Sequence, residues 1–146
     1  MIIKPLSPTL GELKENKFLF PVRVYYEDTD AGGIVYYANY LRFAERARTE
    51  YIRALGVRQQ DALETEDKFA FVVRHCEVDY QAPAVLDDEL VVSCQVIEIG
   101  GASCTMHQEI MRGDQLLVTV DVKAVYVSLK NKRPTRIPKE LSSKFI

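Results

Sequence analysis

The run YYANYLRFAERARTEYIRALG (residues 36–56) constrains this chain more than any other segment. Tyr40, Ala44, Ala47, Tyr51 and Leu55 recur at helical spacing, and Leu41, Phe43 and Ile52 widen the apolar side. Arg42, Glu45, Arg46, Arg48, Glu50 and Arg53 fall on the other faces. Asn39 stands where an N-cap is wanted and Gly56 where a helix stops. The segments on either side read as strands. FLFPVRVYY (18–26) is the first, with Pro21 marking an edge or an early bend. After the helix come FAFVVRHCEVDY (69–80), ELVVSCQVIEI (89–99), ASCTMHQEIMR (102–112) and QLLVTVDVKAVYVSL (115–129). Pro83 ends the first of these, and Gly100-Gly101 and Gly113-Asp114 are hairpin turns. Leu90, Val92, Cys94 and Val96 share one strand face, as do Leu116, Val118, Val120, Val122, Ala124 and Tyr126. A helix with one apolar stripe and a sheet with one apolar face bury each other when the helix lies across the sheet. The expected fold is therefore α+β: one domain over residues 18–146, preceded by an irregular arm (1–17) in which Pro5, Pro8 and Gly11 break any period.

Composition narrows the function classes. A chain of 146 residues, 47% hydrophobic and 27% charged, suits one soluble core. The net charge of −2 lacks the basic excess of a phosphate-tracking surface, so no nucleic-acid partner is expected. Cys76, Cys94 and Cys104 are odd in number and show no CxxC or Cys/His spacing; small buried thiols in a reducing compartment are expected, without a disulfide framework or a metal site. The N-terminal residues do not read as a signal peptide, and no apolar run has the length of a membrane span, so a cytoplasmic location without a membrane span is expected. No motif calls for a cofactor.

One stretch departs from fold-making patterns: YEDTDAGGIVYY (26–37). It places Asp28, Asp30, Gly32 and Gly33 just ahead of the helix. A helix start presents unpaired N–H groups and the positive end of the dipole, which can hold an oxygen gaining charge during acyl transfer. A carboxylate a few residues upstream can attack a carbonyl or deprotonate water. Aspartate-rich turns also cap helices with no chemistry at all, and residue types alone leave both readings open. A calcium loop opening at Asp28 would need an oxygen ligand at its fifth position and glutamate at its twelfth; those are Gly32 and Asn39, which rejects it.

The run VRVYYEDTDAGGIVYYANYLRFAERARTEYIRALG, followed by VDYQAPAVLDDELVV, resembles the Tol-Pal-associated acyl-CoA thioesterases of the YbgC type, in the wider 4-hydroxybenzoyl-CoA thioesterase family. The likeness covers about residues 19–130, and its tyrosine-x-Asp-Thr-Asp-x-x-Gly-x-Val-Tyr pattern is specific. The resemblance implies a hotdog fold, an antiparallel sheet wrapped around one long central helix. It implies homodimers paired sheet edge to sheet edge, often assembled into homotetramers, with active sites at the dimer interface. It implies hydrolysis of acyl-CoA to free acid and CoA, acyl carrier protein being a second candidate carrier. The family's catalytic aspartate falls on Asp30 and its carbonyl-polarising backbone amide on Tyr37; Tyr26 matches a tyrosine near that aspartate. Gly33, Val35 and Tyr36 are expected to contact substrate. Close YbgC-type sequences often carry histidine where this chain has Tyr37, a departure that a backbone role survives.

Other groups have plainer readings. Asp28 is expected to bond loop N–H groups, and Glu45 and Glu50 to belong to a solvated or ion-paired helix face. His75 and His107 lie in strand patterns with no acidic partner nearby in sequence. The basic stretch KNKRPTRIPK (130–139) offers Lys132 and Arg133 to the phosphates of CoA, or is simply a solvated tail. Two other classes stay open: a hotdog hydratase or dehydratase, which would need a histidine paired with an acid, and an acyl-thioester binding module without turnover.

Overall fold

The computed structural model describes residues 11–145. In chain order the elements are β1 (Glu12–Lys14), β2 (Lys17–Arg23), a 3₁₀ turn (Tyr26–Asp28), α1 (Asn39–Ala54), α2 (Gln59–Leu63), β3 (Phe69–Tyr80), β4 (Glu89–Ile99), β5 (Ser103–Arg112), β6 (Gln115–Ser128), β7 (Arg133–Pro134) and α3 (Lys139–Ser142). The strands form one sheet in the order β1-β2-β4-β5-β6-β3, with β7 also paired to β6, and every pairing is antiparallel.

Side-chain alternation dictates which sheet face is covered. Leu90, Val92, Cys94 and Val96 of β4 are buried, as are Cys104, Met106, Gln108 and Ile110 of β5. On β6 the buried row is Val118, Val120, Val122, Ala124 and Tyr126. Leu116, expected in that row, is only half-buried, and Leu117 is buried in its place. The cause is a bulge: Ile110 pairs with Val118 but Met111 with Leu116, so Leu117 is the extra residue.

Helix α1 lies over β2 and β4 and buries Tyr40, Phe43, Ala44, Ala47, Tyr51 and Ile52 against this face. The small Ala44 and Ala47, both fully buried, let the helix approach the sheet closely. Complete burial of Phe43 contributes about 2–3 kcal/mol. The helix ends as Gly56 implies. Gly56 takes φ +93, its N–H bonds the Arg53 carbonyl, and the Val57 N–H bonds the Ile52 carbonyl, a Schellman stop. This is the α+β hotdog layout, one long helix embraced by an antiparallel sheet.

Four expectations are corrected. Residues 1–10 of the irregular arm lie outside the described residues, but Glu12–Lys14 is a strand paired with β2. Its three exposed side chains carry no alternation signal; the two-residue turn Glu15-Asn16, with Glu15 at φ +56, sets the pairing. Asn39 is the first helical residue rather than the N-cap, because its side chain is drawn to Asp28. Cys76 is exposed whereas Cys94 and Cys104 are buried, since β3 is the outer strand. Burial pushes the Cys94 thiol up to about 12 and the Cys104 thiol to about 11.

Arg48 is the fourth. It is only 8% exposed. Its guanidinium bonds Glu45 and, at 2.9 Å, the Oε1 of fully buried Gln108, whose Nε2 donates to the Ala44 carbonyl at 2.9 Å. A buried guanidinium is tolerable when its charge is paired and bonded, and this network engages both terminal nitrogens while tying α1 to β5.

Candidate active site

Past β2, Val24 is locked in the core and bonded through both backbone groups to Asp87 and Asp88. The chain then turns at Tyr26–Asp28. Asp28, buried, accepts the Tyr25 N–H at 2.8 Å on one carboxylate oxygen and the Asn39 Nδ2 at 2.5 Å on the other. Its carbonyl accepts the Tyr36 N–H at 2.9 Å. One residue thus clamps the start of the loop to the start of the helix, which is the structural role its sequence context suggested.

Between these anchors runs a small hairpin. Thr29 pairs with Val35, and the Asp30 N–H donates to the Ile34 carbonyl at 2.9 Å. At the tip the Gly33 N–H bonds the Asp30 carbonyl at 3.0 Å, and Gly33 takes φ +82, a conformation that glycine adopts without strain. The Asp30 carboxylate is exposed there and accepts the Gly32 N–H on Oδ1 at 2.9 Å. Oδ2 has no hydrogen-bond partner among the described residues. Beyond Tyr36, whose N–H pairs back to the Asp28 carbonyl, the chain reaches the Tyr37 N–H at the mouth of α1. That N–H has no hydrogen-bond partner among the described residues and lies at the positive end of the helix dipole.

Aromatic residues hold this mouth in shape. The Tyr80 hydroxyl, at the end of β3, donates to the Tyr37 carbonyl at 2.9 Å. The Tyr37 and Tyr80 rings meet edge-on at 6.2 Å, and Tyr40 and Tyr80 at 5.7 Å. The Tyr40 hydroxyl accepts the Ala84 N–H at 3.0 Å, and the Val35 N–H donates to the Ala84 carbonyl at 2.9 Å. The linker between β3 and β4 therefore supports both the hairpin and the helix. Burial raises the phenols of Tyr40 and Tyr80 above the ordinary tyrosine range, so both remain neutral donors and acceptors. Asp88 stiffens the same linker by accepting the Val85 N–H at 2.9 Å and Arg112 Nη1 at 2.6 Å. Tyr80 and Ala84 carry no local sequence signal for this role, because their partners are more than forty residues away, and the Arg112 partner of Asp88 is 24 residues away.

The remaining site expectations divide. Tyr36 and Tyr37 are exposed beside the hairpin, Tyr37 at 62%, and Gly33 lies in open space. Tyr26 is 83% exposed, and its backbone carbonyl accepts from Thr29. Val35 belongs to the core: its side chain is buried and its N–H donates to the Ala84 carbonyl. Lys132 and Arg133 are not brought to Asp30 within one chain. Arg133 pairs with Ser128 at one end of β6, whereas Tyr80 pairs with Val118 at the other, roughly 30 Å away along the strand.

Both histidines do have carboxylate partners, which the sequence did not show. His107 Nδ1 is 2.7 Å from Asp121 across β5 and β6, and His75 Nε2 is 3.2 Å from Glu77. His107 alternates with the buried Met106 and Gln108 and so faces away from the helix and the Tyr37 mouth. Glu45 is paired with Arg48, and Glu50 with Arg53 at 3.6 Å. Among the described residues no group of three or more His, Cys, Asp or Glu side chains is placed to hold a metal, and no helix is long and apolar enough to cross a membrane.

Comparison with known proteins gives the family. The family model of the thioesterase-like superfamily matches residues 24–145. The chain is 50% identical to the acyl-CoA thioesterase YbgC of Haemophilus influenzae over 131 residues, covering 90% of this chain and 96% of that protein. It is 44% identical to the acyl-CoA thioester hydrolase YbgC of Escherichia coli over 129 residues, covering 88% and 95%. The crystal structure of a probable thioesterase from Bartonella henselae superposes with a TM-score of 0.79 at 36% identity, covering 82% of this chain and 98% of that one. The chain belongs to the thioesterase-like superfamily, within its YbgC group.

Proposed function

We propose that this protein hydrolyses acyl-CoA thioesters, with the Asp30 carboxylate performing the chemistry and the Tyr37 N–H polarising the carbonyl. One observation carries the reading: a carboxylate presented on a tied hairpin and an unpartnered amide at a helix mouth share one rigid support. The naming of the YbgC relatives as acyl-CoA thioesterases supports the substrate class. The thioester oxygen accepts from the Tyr37 N–H, where the dipole favours developing negative charge. Asp30 then either deprotonates a water that attacks the carbonyl or attacks it directly, giving a mixed anhydride that water cleaves. In both routes the C–S bond breaks and CoA leaves as a thiolate, a good leaving group that demands no strong general acid. One turnover in isotopically heavy water separates the routes, because only the anhydride route leaves label in the Asp30 carboxylate.

The working unit is a homodimer, or a homotetramer built from dimers, joined at β3. This strand ends the sheet order and has no partner on its outer side among the described residues, with Val72 at 41% and Val73 at 51% exposure. A long, partly apolar free edge calls for a cover. A second copy running antiparallel makes a self-complementary pair, each residue of one strand meeting the residue that meets it in return, with the basic Arg74 of one copy brought toward the acidic second half of the other.

Thiol release from a panel of acyl-CoA esters, and from an acyl carrier protein thioester, tests the activity. Turnover of CoA esters is the expected result. Tight binding without release from any of them would instead favour a binding module. A hydratase reading is disfavoured because the His107–Asp121 pair faces away from the helix mouth.

A further inference from the structure

We propose that Tyr80 is a positioning residue for thioester hydrolysis: its hydroxyl fixes the peptide that follows Tyr37 and so sets where the carbonyl-polarising N–H of Tyr37 points. The inference rests on the Asp30–Tyr37 reading above. It goes beyond that reading by naming a side chain, outside both the loop and the helix, that governs the rate through the amide.

A backbone N–H has no rotamer of its own. Its direction is that of its peptide plane, and the plane is held by the bonds of its carbonyl and of the planes on either side. The Tyr37 N–H shares a plane with the Tyr36 carbonyl, which accepts the Asn39 N–H at 2.8 Å. The plane before it is tied through the Tyr36 N–H, which donates to the Asp28 carbonyl at 2.9 Å. The plane after it carries the Tyr37 carbonyl. Among the described residues that carbonyl accepts no backbone N–H, because the helix begins at Asn39 and the Leu41 N–H bonds the Ala38 carbonyl. Its partner is the Tyr80 hydroxyl, at 2.9 Å. Backbone bonds therefore hold two of the three planes, and a side chain from the end of β3 holds the third. Releasing that third plane lets the Cα of Tyr37 shift, and the N–H shifts with it.

The phenol is well placed for this and for little else. Its ring meets Tyr37 edge-on at 6.2 Å and the buried Tyr40 at 5.7 Å, so the core steadies it. Its hydroxyl makes no other hydrogen bond among the described residues. Tyr80 is 44% exposed, and water compensates most of the stability lost with an exposed hydrogen bond. What the bond controls is direction. A thioester oxygen gains charge on the way to the transition state, and a donor aimed at it supplies about 10²–10³-fold in rate. A donor steadied less well loses a share of that factor without losing ground-state binding.

Tyr80→Phe keeps the ring contacts and removes only the bond. Thiol release is measured with acetyl-, octanoyl-, palmitoyl- and benzoyl-CoA. With the best of these, kcat is expected to fall about tenfold while KM stays within about twofold and the melting temperature barely moves. Replacing Tyr80 by p-aminophenylalanine, which retains a donor at the ring tip, is expected to return most of the lost kcat. The direct readout is infrared. In an Asp30→Asn background the same ester, isotopically labelled at its carbonyl carbon, is bound without turnover, and its carbonyl stretch moves to lower frequency as the amide polarises it. Adding Tyr80→Phe is expected to cancel a large part of that shift. A kcat within about twofold of wild type, or an unchanged carbonyl stretch, overturns the role of Tyr80 and leaves Asp30 and Tyr37 standing. A lowered melting temperature with kcat and stretch unchanged makes Tyr80 structural and overturns the proposal equally. Absence of turnover of all four esters by the wild type overturns the functional reading and the role of Tyr80 together.

Discussion

Replacing Asp28 separates holding the site from performing its chemistry. Its buried carboxylate accepts the Tyr25 N–H and the Asn39 side chain. Hydrogen bonds to a charged group are worth about 1.5–3 kcal/mol each. Both donors are only partly buried, so water compensates some of the loss in Asp28→Ala, leaving on the order of 2–4 kcal/mol. With a urea slope of about 2 kcal/mol/M, the unfolding midpoint falls by about 1–2 M. Asp28→Asn keeps one good acceptor and falls about halfway between. The assay is urea denaturation followed by circular dichroism at one protein concentration, since an oligomer's stability depends on concentration. Thiol release without denaturant is expected to stay within about threefold of wild type for the folded Asn variant, because Asp28 is not a reacting group. A midpoint unchanged in Asp28→Ala refutes the clamp. A normal midpoint joined to a collapse of kcat would make Asp28 chemical instead of structural.

Arg48→Ala leaves Gln108 and Glu45 without their partner and opens a void, costing about 3–4 kcal/mol in the same assay, whereas Arg48→Met refills the space but still strands the buried Gln108 oxygen, so it recovers only the void's share and costs about 1–3 kcal/mol. Equal losses in both would show that the charge itself is required. Burial opposes ionisation of Asp88, but the Val85 N–H and the Arg112 guanidinium outweigh it and hold the carboxyl below the usual range. That group contributes stability above the ordinary carboxylate range, lost as pH falls through its own lowered value, so Asp88→Asn should flatten the acid limb of a melting-temperature profile. Gly33→Ala meets no side chain but must hold φ +82, costing about 1 kcal/mol; because it shifts the hairpin tip, kcat should fall further than stability does. A variant with normal kcat would detach the tip geometry from the reaction.

What the sequence revealed followed the range of its signals. The alternation of β4 and the 3.6-residue period of α1 are local, and the buried rows came out as read apart from Leu41, which is exposed, Leu55, which is half-buried at the helix end, and Leu116, displaced by a bulge that pairing alone reveals. β1, β7, α2 and α3 went unread because each is two to five residues long, too short for any period. Arg48 reads as a surface charge until Gln108, sixty positions away, is placed beneath it. Asp28 and Asp30, two residues apart, could not be told apart by type; structure separates them by burial, one locked inward and one offered outward. Val35, expected at the substrate from the family resemblance, also packs in the core, a contact that its polar neighbours in sequence do not announce. Lys132 and Arg133 were read as candidates for the phosphates of CoA from their charge alone; within one chain the length of β6 separates them from Asp30.

Turnover of an acyl-CoA ester by Asp30→Asn, measured beside its affinity for the same ester, tests the central claim most directly. Asparagine keeps the shape and the bond from the Gly32 N–H but lacks a basic, nucleophilic oxygen. The account predicts a kcat lowered by about 10²–10⁴-fold with ester affinity and melting temperature close to wild type. A kcat near the wild-type value would remove Asp30 from the reaction.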